Sequence, residues 1–383
     1  MATTPRSTTQ RVLGAVLTAA LLVTAAAACG AVQSAGPQQQ TPQARQALLD
    51  RWRSRADVPA VVAGLDDAHG TTWVGASGSP ERGSATPVST SASFRTASIT
   101  KVFVAVVTLQ LVEEGRLRLD DPVARYLPDV SAGRVTVREL LNHTSGLPDY
   151  SQAAGLGKEL LEDRNRRWST TEVLALVAHD KPQFPPGTGY QYSNTDYVVL
   201  GEVIRVVTGT SWARQVRQRL LDPLQLTHTF IAGLEPARAA VLPGYFDADN
   251  DGDEENVETG GPWLALETSE GPAGALISTA ADLLAFGDAL FRGHLLRPAT
   301  LMAMVAEGPF HPRNSNYGLG LEILRPDYRT VIWGHGGFLP GFRSVLWYVP
   351  SRDAVIVVLT NDSLANPPDL AELIMRTLTP GNA

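Results

Sequence analysis

The pattern of hydrophobic and polar residues changes rhythm along the chain, and each change predicts a different element. An uncharged apolar run from Val12 to Ala28 gives way to the polar stretch GAVQSAGPQQQTPQ, which has too little apolar surface to fold. From Ala44 the pattern is globular. A helix is expected over Ala44 to Arg55, then apolar strand-like runs at Val58–Leu65 and Thr71–Gly75. Ile99 to Glu114 is apolar almost all round, which predicts a buried helix stopped by Gly115. Residues 116–300 read as mostly helical with Pro- and Gly-rich loops, the helix candidates including Thr136–Leu141, Thr170–Ala178, Asp196–Thr208 and Thr279–Phe291. Strand-like runs return at Gly318–Leu324, Thr330–Trp333, Ser344–Val349 and Ala354–Leu359, and a closing helix spans Pro368 to Leu378. Strands at both ends with helices between them predict an α/β chain of the α+β type. One antiparallel sheet is assembled from the two termini and flanked by helices, with an inserted mainly helical region.

The first residues have a separate logic. Arg6 and Arg11 ahead of the apolar run read as a secretory signal over residues 1–28. Ala26, Ala27 and Ala28 then precede Cys29, the only cysteine, in an order that resembles a bacterial lipobox. The expectation is an exported protein, lipid-anchored through Cys29 to the outer face of the cell membrane. Simple cleavage and secretion is the alternative. Residues 29–43 would be a flexible tether, and 44–383 one globular domain.

Composition narrows the partners. At 383 residues the chain can bury a large core without disulfides, and one cysteine could form none within it. A net charge of −7 argues against nucleic acid as a partner. Only three of the 32 basic residues are lysines, namely Lys101, Lys158 and Lys181. That makes the position of Lys101 informative: it stands among Ile99, Val102, Phe103 and Val104, where a lone buried ammonium is costly without partners.

Three stretches carry candidate chemistry. In Ser98-Ile99-Thr100-Lys101, serine and lysine three residues apart share a helix face. The serine would sit at a helix N-terminus, which favours developing negative charge, and a buried lysine with a lowered pKa can take part in removing the serine proton. In Tyr192-Ser193-Asn194 the phenol could act as a base if a nearby charge such as Lys101 lowered its pKa, and the Asn194 amide could orient a substrate carbonyl or the lysine. In Trp333-Gly334-His335-Gly336-Gly337-Phe338, glycines within an expected strand mark the close approach of a ligand or another backbone.

The order Ser98-x-x-Lys101, Tyr192-x-Asn194, His335-x-Gly337 resembles the three motifs of the penicillin-recognising serine hydrolases. The tyrosine form of the second motif is similar to the branch containing class C β-lactamases, D-alanyl-D-alanine carboxypeptidases and related esterases. Leu140–Pro148, Tyr192–Gly201, Gly274–Leu283 and Tyr317–Gly320 are similar in wording, so the resemblance covers roughly residues 45 to 375. It implies a β-lactamase/transpeptidase-like fold and no metal or organic cofactor. It also implies a small-molecule or peptide substrate and an acyl-enzyme on Ser98. Lys101 and Tyr192 would share the proton traffic, with Tyr192 the preferred base. The N–H groups of Ser98 and Phe338 would form the oxyanion hole, His335 would replace the commoner lysine, and Asn194 would help hold the substrate. Gly336 departs from the pattern. Many relatives carry a hydroxyl there that bonds a substrate carboxylate, so ester or amide hydrolysis without a terminal carboxylate gains ground over carboxypeptidase or β-lactamase activity. A non-catalytic penicillin-binding or sensing module is the reading from another class, and keeping Ser98, Lys101 and Tyr192 together argues against it.

Neither a Gly-x-Ser-x-Gly nor a His-Glu-x-x-His motif occurs. Residues Asp247 to Glu258 match the spacing of an EF-hand calcium loop, but Pro243, Gly244, Gly260, Gly261 and Pro262 leave no room for its flanking helices. An acidic solvated hairpin is the plainer expectation, and no metal is assigned.

Overall fold

A computed structural model describes residues 41–378 apart from 68–69, 129–133, 248–250, 252–253, 260, 262, 311–314 and 328. The expected signal segment, Cys29 and nearly all of the tether lie outside the described residues. Helix α1 (Pro42–Ala56) is capped by the Thr41 hydroxyl, which accepts from Ala44 N, and strands β1 (Ala60–Asp67) and β2 (Thr72–Gly78) follow. Short strand β3 (Phe94–Arg95) and a 3-10 turn at Ala97–Ile99 lead into α2 (Thr100–Glu113). The inserted region holds α3 (Val137–Leu141), α4 (Leu156–Glu162), α5 (Thr170–Ala175), α6 (Asn194–Thr208) and α7 (Trp212–Val216). Short strands β4 (Phe230–Ile231), β5 (Tyr245–Phe246) and β6 (Glu255–Asn256) come next. They precede α8 (Leu264–Gly274), β7 (Leu276–Ser278), α9 (Ala280–Phe291) and α10 (Pro298–Met304). The chain closes with β8 (Ser315–Tyr317), β9 (Glu322–Leu324), β10 (Ile332–Leu339), β11 (Phe342–Val349), β12 (Ala354–Thr360) and α11 (Pro367–Met375).

The main sheet has the order β2-β1-β12-β11-β10-β9-β8, antiparallel throughout, so strands from both chain ends meet at the β1–β12 pair. Both faces are covered, which is why β1 and β12 read as continuous apolar runs rather than alternating ones. Val61, Ala63 and Leu65 with Ile356 and Val358 pack on α1 and α11, through Leu49, Trp52, Leu370 and Ile374. Val355, Val357 and Leu359 point the other way, into the larger core with α2, α6 and α9. Helix α2 lies inside that core, with eleven of its fourteen residues buried.

Two strand expectations need correction. The run Gly318–Leu324 is a hairpin, not a strand: the chain turns at Gly320, whose φ of +89° suits glycine. A Cβ at Gly320 would lie 2.3 Å from the Ala105 Cβ, so the turn rests directly on α2. The run Thr330–Trp333 begins at Ile332 and continues through the glycines to Leu339, because every residue from Trp333 onward pairs with β11.

Candidate active site

The site is assembled where the start of α2, the start of α6 and the open edge of β10 converge. The turn carrying Ser98 is fastened on several sides. Thr96 N and Oγ1 both donate to Leu276 O at 2.9 Å, Ser344 Oγ donates to Thr96 O at 2.8 Å, and Thr100 Oγ1 donates to Ala97 O at 2.7 Å. These bonds hold Ala97 at φ +50°, a left-handed conformation that costs a non-glycine residue and persists only where its surroundings impose it. The result is a half-buried Ser98 at the head of a buried helix, where the helix dipole favours negative charge.

Lys101 lies one turn further on and is fully buried. Its ammonium donates to Asn194 Oδ1 at 2.7 Å, to Ala273 O at 2.8 Å and to Ser98 Oγ at 3.1 Å. Burial lowers its pKa to about 8, while Glu270, Asp149, Asp196 and Glu322 work to keep it charged. A free amine beside the serine hydroxyl is therefore accessible near neutral pH.

Tyr192 sits over this pair, with Lys101 Nζ 4.9 Å from its ring centre and its hydroxyl bonded to Ser98. The expectation that Lys101 would lower the phenol pKa is not met. Burial pushes Tyr192 well above its ordinary range, Glu322 adds to the rise, and only the Ser98 hydrogen bond opposes it. The tyrosine therefore stays a phenol, able to pass a proton but not to hold a negative charge at rest.

Asn194 takes up one of the two roles expected of it, orienting the lysine. Its Oδ1 receives Lys101, and its Nδ2 donates to Asp149 Oδ2 at 3.2 Å and Ser151 Oγ at 3.3 Å. Both ends of the amide are thus engaged in positioning the lysine. His335 is 1% exposed and lies between Tyr317, whose hydroxyl is 2.9 Å from Nε2, and the Gly336 carbonyl at Nδ1. Burial and then Lys101 depress its pKa to about 3, so it is a neutral ring and not a stand-in for a charged lysine.

The glycines of β10 separate into two kinds. A Cβ on Gly337 would lie 2.3 Å from Thr96 O and 2.2 Å from Ser344 Oγ, so the strand passes against the serine turn and only glycine fits. A Cβ on Gly336 would meet nothing nearer than 3.9 Å. Strand β9 pairs with β10 only as far as Glu322 opposite Gly334, so among the described residues the β10 edge beyond is unpaired. Gly336 N donates there to Glu322 Oε2 at 3.2 Å. Phe338, two residues along and half-buried, presents its N–H to the same side because N–H direction alternates along a strand. Gly337 lies against Thr96 and Ala97, so the next residue, Phe338, carries its amide past the serine turn, as the expected oxyanion hole requires.

Several site residues were not anticipated. Asp149 directly follows the stretch Leu140–Pro148, Glu270 lies on α8, and Glu322 follows Gly320 by two, all near wording that was itself informative. Nothing in their spacing marks them as converging; only the fold brings them to Lys101. Burial raises the Glu270 and Glu322 carboxyls to about 7 and raises Asp149 as well. Beneath Tyr192, His143 Nδ1 lies 2.9 Å from Asp196 Oδ2, and both are fully buried.

A model of the Beta-lactamase family matches residues 47–378. The chain belongs to the beta-lactamase family. It is an enzyme of the serine-hydrolase type with a β-lactamase/transpeptidase-like fold. "Penicillin-binding protein 4" of Amycolatopsis lactamdurans is 31% identical over 348 residues, which are 84% of this chain and 85% of the relative. A D-stereospecific amidohydrolase from Streptomyces sp. superposes with a TM-score of 0.76 at 32% identity, covering 87% of this chain and 98% of that one. The D-amino acid amidase from Ochrobactrum anthropi SV3, in complex with L-phenylalanine amide, gives 0.77 at 27% identity with the same coverages.

Among the described residues no group of His, Cys, Asp and Glu could hold a metal ion, and no helix is long and apolar enough to cross a membrane. Part of the Asp247–Glu258 segment lies outside the described residues. Strand β5 precedes it and strand β6 lies within it, paired Tyr245 to Asn256 and Phe246 to Glu255. Glu258, the residue that would close a calcium loop, instead receives Arg95 Nη2 at 2.8 Å.

Proposed function

We propose that this chain is an exported serine hydrolase that cleaves small amides and esters through an acyl-enzyme on Ser98. One observation carries the reading: the fully buried Lys101 lies 3.1 Å from Ser98 Oγ with its pKa lowered to about 8. The free amine of Lys101 takes the serine proton while Ser98 Oγ attacks the carbonyl carbon, and the Ser98 and Phe338 amides hold the oxyanion. Tyr192, kept protonated by burial, hands a proton to the departing amine or alcohol and regains one from the Lys101 ammonium, which holds the proton taken from Ser98. Water repeats the sequence and releases the acid. The amidohydrolase and amidase relatives support amides as the substrate bond.

A D-alanyl-D-alanine carboxypeptidase or a β-lactamase is the second reading. It is favoured by the penicillin-binding relative and by Arg343, whose half-buried guanidinium lies 4.9 Å over the Phe338 ring. Export and lipid anchoring rest on Arg6, Arg11, the run Val12–Ala28 and Cys29 alone. Loss of palmitate labelling in Cys29→Ala tests the anchor.

The function is tested by intact-protein mass spectrometry after exposure to a reactive ester, followed by a panel of D-amino acid amides, p-nitrophenyl esters, nitrocefin and D-alanyl-D-alanine peptides. Acylation mapped to Ser98, with amides or esters ahead of the last two by kcat/KM, is the expected result. Preference for D-alanyl-D-alanine peptides by an order of magnitude would put the carboxypeptidase first. Absence of any acyl adduct would favour a binding module.

A further inference from the structure

Three facts about the open edge of β10 bear on the substrate. The carboxyl of Glu322 sits on that edge, bonded to the Gly336 amide at 3.2 Å. The nearest atoms to a Cβ at Gly336 are Glu322 Oε2 and Ser344 O, both at 3.9 Å, so space remains beside the carboxyl. Third, Glu322 lies on the proton-relay side of the serine. Its charge acts on Lys101, Tyr192, Tyr190 and Tyr317, while the oxyanion amide of Phe338 is two residues further along the strand.

That position has a chemical meaning. In acyl transfer the leaving group must depart toward the group that protonates it, because the same relay that took the serine proton returns it. The relay here is Tyr192 and Lys101, so the leaving group occupies the Glu322 end of the β10 edge and the acyl group the Phe338 end. A carboxylate on the leaving group would then meet a carboxylate. It would also find the Gly336 amide, the edge donor nearest to it, already taken.

We propose that Glu322 sets leaving-group specificity, excluding substrates whose departing amine carries a carboxylate and favouring those whose departing amine carries a second, protonated amine. The proposal rests on the acyl-enzyme reading given above. Burial lifts the Glu322 carboxyl to about 7, with the Gly336 amide and Lys101 pulling it back, so the carboxylate predominates at pH 8.

The test uses one acyl group, the best found in the panel, joined through an amide to three amines of similar size. These are glycine (anionic), glycinamide (neutral) and 1,2-diaminoethane (cationic). At pH 8 the wild-type kcat/KM is expected to rank cationic above neutral above anionic, with about tenfold or more between the ends, as befits one charge within a few ångströms. Glu322→Gln should bring the ratio near one, and Glu322→Arg should invert it. Each ratio is internal to one protein, so a general loss of stability or activity in a variant cancels. A Glu322 that only braced the strand would leave the ratio unmoved. Overturning results are a wild-type ratio at or below one, or a ratio that Glu322→Gln leaves intact while Ser98 still acylates. Failure of Ser98 to acylate in the wild type would instead remove the parent reading, and this one with it.

Discussion

Lys101 on α2 and Asn194 at the start of α6 are joined by a hydrogen bond of 2.7 Å, which ties two buried helices together at the point where the ammonium meets Ser98. Because the other end of the Asn194 amide is held by Asp149 and Ser151, the bond fixes where the lysine points.

Substitutions at these positions should therefore separate by mechanism. Ser98→Ala and Lys101→Ala should each lower kcat/KM about 10³-fold or more, since nucleophile and proton acceptor act as a unit. Asn194→Ala should lower kcat by about 10²-fold, the scale of a misplaced catalytic group, with KM little changed. A rise in KM with kcat intact would mean that Asn194 binds substrate after all. Tyr192→Phe, which removes only the hydroxyl, should cost about 10²–10⁴ in kcat.

The lysine also sets a pH dependence. Only its unprotonated form can accept the serine proton, so kcat/KM for a neutral ester should climb through a limb centred near pH 8. A profile flat from pH 7 to 9 would contradict this. Stability has its own sign. The folded pKa lies below the ordinary 10.5, so between about 8 and 10.5 the unfolded chain binds more protons, and this group raises stability as pH rises through that window.

Adjacent glycines on β10 should behave differently. Gly337→Ala places a methyl 2.3 Å from the Thr96 carbonyl and should destabilise by about 1–3 kcal/mol as the strand is pushed off the serine turn, with activity falling too. Gly336→Ala has open space and should stay within about 0.5 kcal/mol of wild type. Urea denaturation of the two variants side by side checks the contrast, and equal losses would refute it.

Arg95 anchors the strand that leads into the serine turn. Its guanidinium is buried, 2.8 Å from Glu258 and 2.7 Å from Glu267, and the two carboxylates raise its pKa despite the cost of burial. Arg95→Met would leave Glu267 without its paired cation and Glu258 with only the neighbouring Arg164. The expected loss is about 3–5 kcal/mol, read from the denaturation midpoint, and a loss under about 1 kcal/mol would show the network to be dispensable.

The sequence by itself determined the elements whose cause is local. The apolar run from Ile99 to Glu114 could only be a buried helix, and Ser98 and Lys101 share a face because of helical spacing. The apolar runs of β1 and β12 dictated a sheet covered on both faces. Tertiary structure decided whatever depends on which distant groups meet. The Gly318–Leu324 run became a hairpin because Gly320 has to clear Ala105 on α2. His335 lost its charge because Tyr317 and the core enclose it, and Tyr192 kept its proton because burial outweighs the nearby lysine. Glu322 became a site residue because β9 stops opposite Gly334 and leaves the β10 edge open. Helical spacing is set by bonds within a few residues, whereas a pKa or an open strand edge is set by what lies within a few ångströms, and in a folded chain those neighbours come from anywhere in the sequence.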